Sequence, residues 1–214
     1  MLPIVVTYAL PAGNATSLSA TQAATSLLVG LATTVIPGPQ RRIVITSAGN
    51  DSALLFKIIG LNQANNTISE LLAGANATFA QSNLDYESII SILPQTLTGS
   101  IGTTASTVSV GVNGVGSSLW NIVNWHATPS NIAISGAVVG TTAVNFSVQY
   151  TYDDPNNLPA GIQFPQPFNN PSIVNATSTV DGAINDPVTA VRLLVNSGTG
   201  TVCMTIIQAG ISGP

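Results

Sequence analysis

Tyr152-Asp153-Asp154 is the stretch whose residue types and spacing could do chemistry: two adjacent carboxylates beside an aromatic, closing the run NFSVQYTYDD. Neighbouring aspartates on a hairpin can hold Mg²⁺ through oxygen ligands and polarise a phosphoryl group or a water. Such a centre needs further carboxylates converging on it. The remaining acids, Asp51, Glu70, Asp85, Glu87, Asp181 and Asp186, are scattered among turns and strand ends and form no second motif. Alternation puts Phe146, Val148, Tyr150 and Tyr152 on one face of the run and Ser147, Gln149 and Thr151 on the other, the pattern of a half-buried strand. Asp153-Asp154-Pro155 then ends it, because Asp favours turns and proline cannot donate to a continuing ladder. The pair is therefore expected to be a turn, with no catalytic residue, metal site or cofactor.

The other reactive types stand alone. His126, the one histidine, lies in WHATP directly after Trp125, and a single unsupported imidazole makes neither a zinc site nor a triad. A loop or interface role is expected for it. Trp120 and Trp125 are five apart, hence on opposite faces of a continuous strand, one filling the core and the other free to reach a partner. Cys203 sits in the apolar run TVCMTII and is expected to be a buried thiol, with no partner for an internal disulfide. GVNGVGSS, residues 111 to 118, lacks the Lys-Ser/Thr of a P-loop and the strand-to-helix setting of a dinucleotide fingerprint, so it is expected to connect rather than to cradle phosphate. Arg192 in AVRLLV is placed on the less buried face beside an acidic or carbonyl partner.

The elements that must position these residues are strands. β-branched residues recur in short runs separated by Gly, Pro, Asn and Asp, from Leu2–Ala9 through Ser26–Leu31, Ser118–Trp125 and Asn145–Tyr152 to Thr201–Gln208. SAGNDS (Ser47 to Ser52), LNQANN (Leu61 to Asn66) and NSGTG (Asn196 to Gly200) read as hairpin punctuation between them. Large apolar residues thin out in QTLTGSIGTTAST, residues 95 to 107. The expected fold is all-β: two antiparallel β-sandwich or jelly-roll-like domains, 1–100 and 119–214, joined by a Gly/Ser/Thr-rich connector at 101–118.

Composition narrows the partners. Of 214 residues 6% are charged, against about a quarter in average globular chains, while the hydrophobic fraction of 45% is ordinary. Thr, Ser, Asn, Gly and Ala replace the usual Lys and Glu, giving a polar but nearly uncharged surface that loses little on association. A net charge of -4, with Arg41, Arg42, Lys57 and Arg192 the only basic residues, argues against nucleic acid. Mean hydropathy is +0.42, but the longest apolar span, SLLVGLATTVI, is too short to cross a bilayer as a helix, so no membrane partner is expected. MLPIVVTYALPAG has no basic n-region and carries Pro3, and is expected to be a first strand rather than a signal peptide.

Two stretches carry a resemblance. RRIVITSAGNDSALLFKIIGLNQANNTISELLAGANATFAQSNLDYESIISI, residues 41 to 92, resembles the N-terminal half of small virion proteins of tailed bacteriophages, in which a strand ending in TSAGNDS precedes a run like F.V.G.N..G..ISE...G. SVQYTYDDP and the segment from Phe164 to Ile211 are similar to a phage structural domain marked by VQYT.DDP, DG....PV.A.R and a final SGTG..T..I.QAG hairpin. Asn169-Asn170-Pro171 stands where relatives often carry an Asn-His-Pro-like turn. The resemblance implies a non-enzymatic virion component, assembled in the host cytoplasm: a capsid decoration (cement) protein that binds the major capsid protein or other virion proteins as a homo-oligomer, with a trimer among the expected forms. A tail, collar or head-fibre component is the alternative within the virion, and a carbohydrate-binding β domain the alternative outside that class. The interface candidates are Leu2, Ile4, Val6 and Tyr8, in a strand-forming N-terminal arm, with Trp120, Trp125 and His126.

Overall fold

The computed structural model describes residues 3–23, 29–38 and 40–212, and every regular element in them is a strand. In chain order these are β1 (Ile4–Ala9), β2 (Asn14–Ala23), β3 (Arg41–Ser47), β4 (Leu54–Leu61), β5 (Thr67–Ala73), β6 (Phe79–Gln81), β7 (Ser88–Thr96) and β8 (Thr107–Ser117). There follow β9 (Asn121–Ile122), β10 (Ala127–Val139), β11 (Val144–Thr151), β12 (Phe168–Asn169), β13 (Val180–Ile184), β14 (Ala190–Gly198) and β15 (Thr201–Ser212). Every pairing with a register is antiparallel, and the sequence period is the reason: β4 reads buried and half-buried in strict alternation along LLFKIIGL.

The chain divides into two compact units, residues 13–113 and residues 1–12 with 114–214. This corrects the expected boundaries. β1 leaves the N-terminal part and pairs antiparallel with β15 from Ile4↔Ile206 to Ala9↔Thr201, so the first residues belong with the C-terminal ones. Most of the expected connector is likewise the strand β8, with Val108, Val110 and Val112 fully buried. One of its glycines is there for close approach: a Cβ on Gly111 would overlap the backbone of Asn14 and Ala15 on the paired strand β2.

In the contiguous unit, β5-β4-β7 form one sheet, and β2, residues 107–113 of β8, β3 and β6 form another. Their inner faces share a core of Leu18, Ile43, Ile45, Val108 and Val110 with Phe56, Ile58, Ile68, Ile89 and Ile92. β2 is absent from the sequence reading because NATSLSATQA lacks β-branched runs, and only Leu18 and Ser19 in it are buried. The strand expected at Ser26–Leu31 lies outside the described residues for 26–28, and 29–31 are irregular.

In the discontinuous unit the order β1-β15-β10-β13 makes one sheet, and β12-β11-β14, extended by β9 and the last residues of β8, makes the other. Tyr8, Ile132, Ile134, Val202, Met204 and Ile206 meet Phe146, Val148, Val191, Leu193 and Val195 in the core between them. LNQANN closes the β4–β5 hairpin as expected, with the Asn62 Oδ1 accepting from the N–H groups of Ala64 and Asn66 at 2.9 and 3.0 Å. SAGNDS and NSGTG instead carry the chain from one sheet to another. Gly198 has φ +87°, and a Cβ there would overlap the Ala143 carbonyl oxygen, which restricts the corner to glycine.

Candidate functional site

The acid pair ends β11 as a turn. Asp153 Oδ2 accepts the Gln166 N–H at 2.7 Å, Asp154 Oδ1 accepts the Asn156 N–H at 3.0 Å, and the Thr151 hydroxyl oxygen accepts the Asp153 N–H at 3.1 Å. Each carboxylate therefore holds a loop backbone. Asp153 also borders a depression of about 380 Å³ with Gly161, Ile162, Gln163, Phe164 and Gln166. Among the described residues no group of three or more His, Cys, Asp or Glu side chains could hold a metal ion.

β11 is more buried than its alternation implies. Phe146 and Val148 face the core, but Ser147, Gln149 and Thr151 on the polar face are buried too. Hydrogen bonding makes this possible. Asn196 Nδ2 donates to the Asn145 Oδ1, Ser147 Oγ and Asn175 Oδ1 at 2.8, 3.0 and 3.1 Å, and Gln149 Nε2 donates to the Asn169 Oδ1 at 2.9 Å. Gln149 Oε1 then accepts from Arg192 Nε at 2.9 Å, and Arg192 Nη1 reaches the Ser117 Oγ at 3.1 Å. Arg192 is 5% exposed with its guanidinium 4.5 Å from the centre of the Trp120 ring. It stands on the face of β14 turned away from Val191 and Leu193, beside a carbonyl partner as the sequence suggested, but that face is buried too.

Trp120 is thus the core tryptophan and leaves the set of interface candidates. The expected strand Ser118–Trp125 shrinks to β9, since Asn121 and Ile122 alone pair with β14. Trp125 is 40% exposed, with its ring centre 5.4 Å from that of His126, itself exposed. The N-terminal candidates change role. Ile4 and Val6 pack partly buried on the core, Tyr8 is buried in it, and Leu2 lies outside the described residues. Their strand is no free arm, because β15 already pairs with it. Cys203 is half-buried on the outward face beside Thr7, since Val202, Met204 and Ile206 take the inward positions of β15.

Two surface features escaped the sequence reading. Tyr150, Tyr152 and Phe168 form a ring cluster with centroids 5.5 to 5.8 Å apart, in which Tyr152 and Phe168 stay exposed. Loss of water around the Tyr152 phenol, then the neighbouring Tyr150 and Asp186, raise its pKa above the ordinary tyrosine value. Only the register of Tyr150 with Phe168 across β11 and β12 brings these rings together, and no local motif signals it.

The second feature is the outward side of two sheets. On β1-β15-β10-β13 it consists of Val5, Thr7 and Ala9, then Thr201, Cys203, Thr205 and Ile207, then Ala133, Ser135, Ala137 and Val139, with Asp181 and Ala183 on the last strand. On β5-β4-β7 the central row is Leu71, Lys57 and Leu93, flanked by rows with Leu55 and Ile59 at their centres. No family model and no characterised protein sequence matches this chain.

Proposed function

We propose that the chain is a non-enzymatic structural component of a tailed-phage virion, a decoration protein that binds the assembled shell in many copies. Each unit is taken as a jelly-roll-like sandwich that presents one outward sheet face for contact. The observation that carries the proposal is the make-up of those faces: apolar and small uncharged polar residues, among them Val5, Thr205, Ala133, Leu71, Leu93, Ser69 and Ser135, with one charge on each face, a surface that loses little hydration on docking. The resemblance of residues 41–92 and 164–211 to phage structural proteins supplies the setting. Binding the closed shell and not its parts would stabilise that state by mass action against packaged DNA. Position and copy number in an image reconstruction of the particle test this. Hundreds of copies on the shell fit a cement, about a dozen at the neck or tail fit the collar or fibre alternative, and absence from the particle overturns both.

The ring cluster favours a second function, carbohydrate binding, because exposed aromatic faces stack on sugar rings. A saccharide array that retains the native chain but not Tyr152→Ala would support it, and no retention of either would remove it.

A further inference from the structure

Most charged side chains of this chain already have work inside it. Arg41 and Arg192 are buried and hydrogen-bonded, Arg42 pairs with Asp85 at 3.3 Å, and Asp51, Glu70, Glu87, Asp153 and Asp154 each accept hydrogen bonds. Asp186 faces Tyr152. Lys57 and Asp181 remain, and among the described residues neither side chain has a hydrogen bond or ion-pair partner. A surface charge is ordinarily just solvated. These two differ in being the sole charge on the outward face of a sheet, Lys57 in the middle of a row of uncharged residues and Asp181 at the end of one, on the edge strand β13.

The two surroundings are also complementary in shape. Lys57 stands on the central strand β4 between Leu71, 57% exposed, and Leu93, so its ammonium projects from an apolar row. Asp181 borders a depression of about 410 Å³ lined by Ala133, Ser135, Gly182, Thr205 and Ile207, where small side chains leave room. A lysine stem entering it would lie beside Ala133 and Ile207, with a carboxylate and the hydroxyls of Ser135 and Thr205 as acceptors for its three N–H donors. A symmetric pairing of the β5-β4-β7 face with itself would oppose Lys57 to Lys57, because that residue stands at the centre of its face, whereas the Asp181 face offers it a carboxylate.

We propose that copies of this chain associate heterologously, the Lys57 face of one copy docking on the Asp181 face of the next. Such an interface closes into a ring or grows as an open chain, in contrast to a two-fold dimer. It deepens the proposed structural role and rests on it only in that the protein acts in many copies. The smaller face, three strands by about six residues, spans roughly 300 Å² in projection, below the about 800 Å² per partner of stable complexes, so the contact is weak in solution and gains strength by repetition on a lattice.

Sedimentation velocity of the purified full chain, up to about 1 mM, is the test. The native chain should self-associate with concentration. Lys57→Glu and Asp181→Lys should each weaken association at least about tenfold, since like charges then meet, and the combined chain should return to within about threefold of native because the pair is restored in reverse. Both positions lie outside the cores, so unchanged thermal melts accompany these effects. Monomeric native protein, single variants that associate as the native chain does, or a combined variant that stays dissociated would each overturn the proposal. Failure of the virion role reads differently: association would follow the charge pattern, yet the chain would be missing from particles.

Discussion

The two units hold their polar interiors together by different means. In residues 13–113 carboxylates tie down loops. Asp51 accepts from Ala105 N and Ser106 Oγ at 2.7 and 2.9 Å, and Glu70 accepts from Asn83 N, Leu84 N and the Tyr86 hydroxyl at 2.9, 3.2 and 3.0 Å. In the unit made of 1–12 and 114–214 Asp153 likewise holds a loop at Gln166, but the buried polar groups of its strands are satisfied by neutral amides and hydroxyls, Asn145, Ser147, Gln149, Asn175 and Asn196, around Arg192. Charged acceptors make stronger hydrogen bonds and can reach irregular backbone. Neutral amides can sit on a buried strand face at less desolvation cost. A sequence with so few charges spends them where loops must be anchored and leaves the sheets to Asn, Gln, Ser and Thr.

The largest effect should come from deleting residues 1–10. This removes β1, with Tyr8 and Leu10 buried and Ile4 and Val6 packed on the core, and leaves β15 with an open edge. At about 1.5–3 kcal/mol for each fully buried large side chain the loss exceeds about 4 kcal/mol. The discontinuous unit should melt at least about 10 °C lower while the contiguous unit keeps its transition. Calorimetry of the truncated chain checks this, and unchanged melting would mean that the strand is dispensable to its sheet.

Next come the buried arginines, which sharpen the contrast. Arg41 donates to the main-chain carbonyls of Pro37 and Asn113, whereas Arg192 donates to side-chain oxygens of Gln149 and Ser117. Replacing either by Ala should destabilise by about 3–5 kcal/mol through a cavity and orphaned acceptors. Only the second loss can be relieved. Adding Gln149→Leu to Arg192→Ala removes an orphaned carbonyl and should recover about 1 kcal/mol in urea unfolding, while no side-chain change removes the carbonyls that Arg41 leaves behind.

A smaller difference should appear at high pH. Burial, then the charge of Glu70 and the hydrogen bond to it, raise the Tyr86 pKa well above 10.0. The unfolded phenol ionises near pH 10 while the folded one keeps its proton, so the unfolded state binds fewer protons above that pH and stability falls as pH rises. Below pH 10 the contribution is fully present. Melting curves of the contiguous unit should therefore fall more steeply above pH 10 than those of the other, and Tyr86→Phe should flatten that fall.

How much of this was legible in the sequence depends on the range of the interaction. The Asn-rich turn LNQANN is a local signal and closes its hairpin as read, and the alternation of LLFKIIGL before it is local too. The pairing of β1 with β15 joins residues about two hundred positions apart, and nothing in IVVTYA says which strand it will meet. GVNGVGSS looked like a linker because glycine ordinarily weakens strands; here the backbone at Gly111 needs its absence of Cβ. Gln149 and Arg192 looked like surface residues because burial of a polar side chain depends on a partner that only the folded register supplies. The outward faces are visible only once it is known that nothing in the same unit covers them.

The smallest effect should come from the residues that first looked catalytic. In Asp153→Asn with Asp154→Asn each carboxamide oxygen can still accept the Gln166 or Asn156 N–H, so the turn survives and the loss stays below about 1 kcal/mol. If instead the pair held a divalent ion in the native state, 10 mM Mg²⁺ would raise the melting temperature of the native chain and not of the variant, because a ligand that binds only the folded state stabilises it by about RT ln(1 + [L]/Kd). The expected result is equal melting with and without Mg²⁺ in both proteins. Mg²⁺-dependent stabilisation confined to the native chain would restore the metal centre and would set these two acids apart from Asp51 and Glu70, which in the other unit hold loop backbone and no ion.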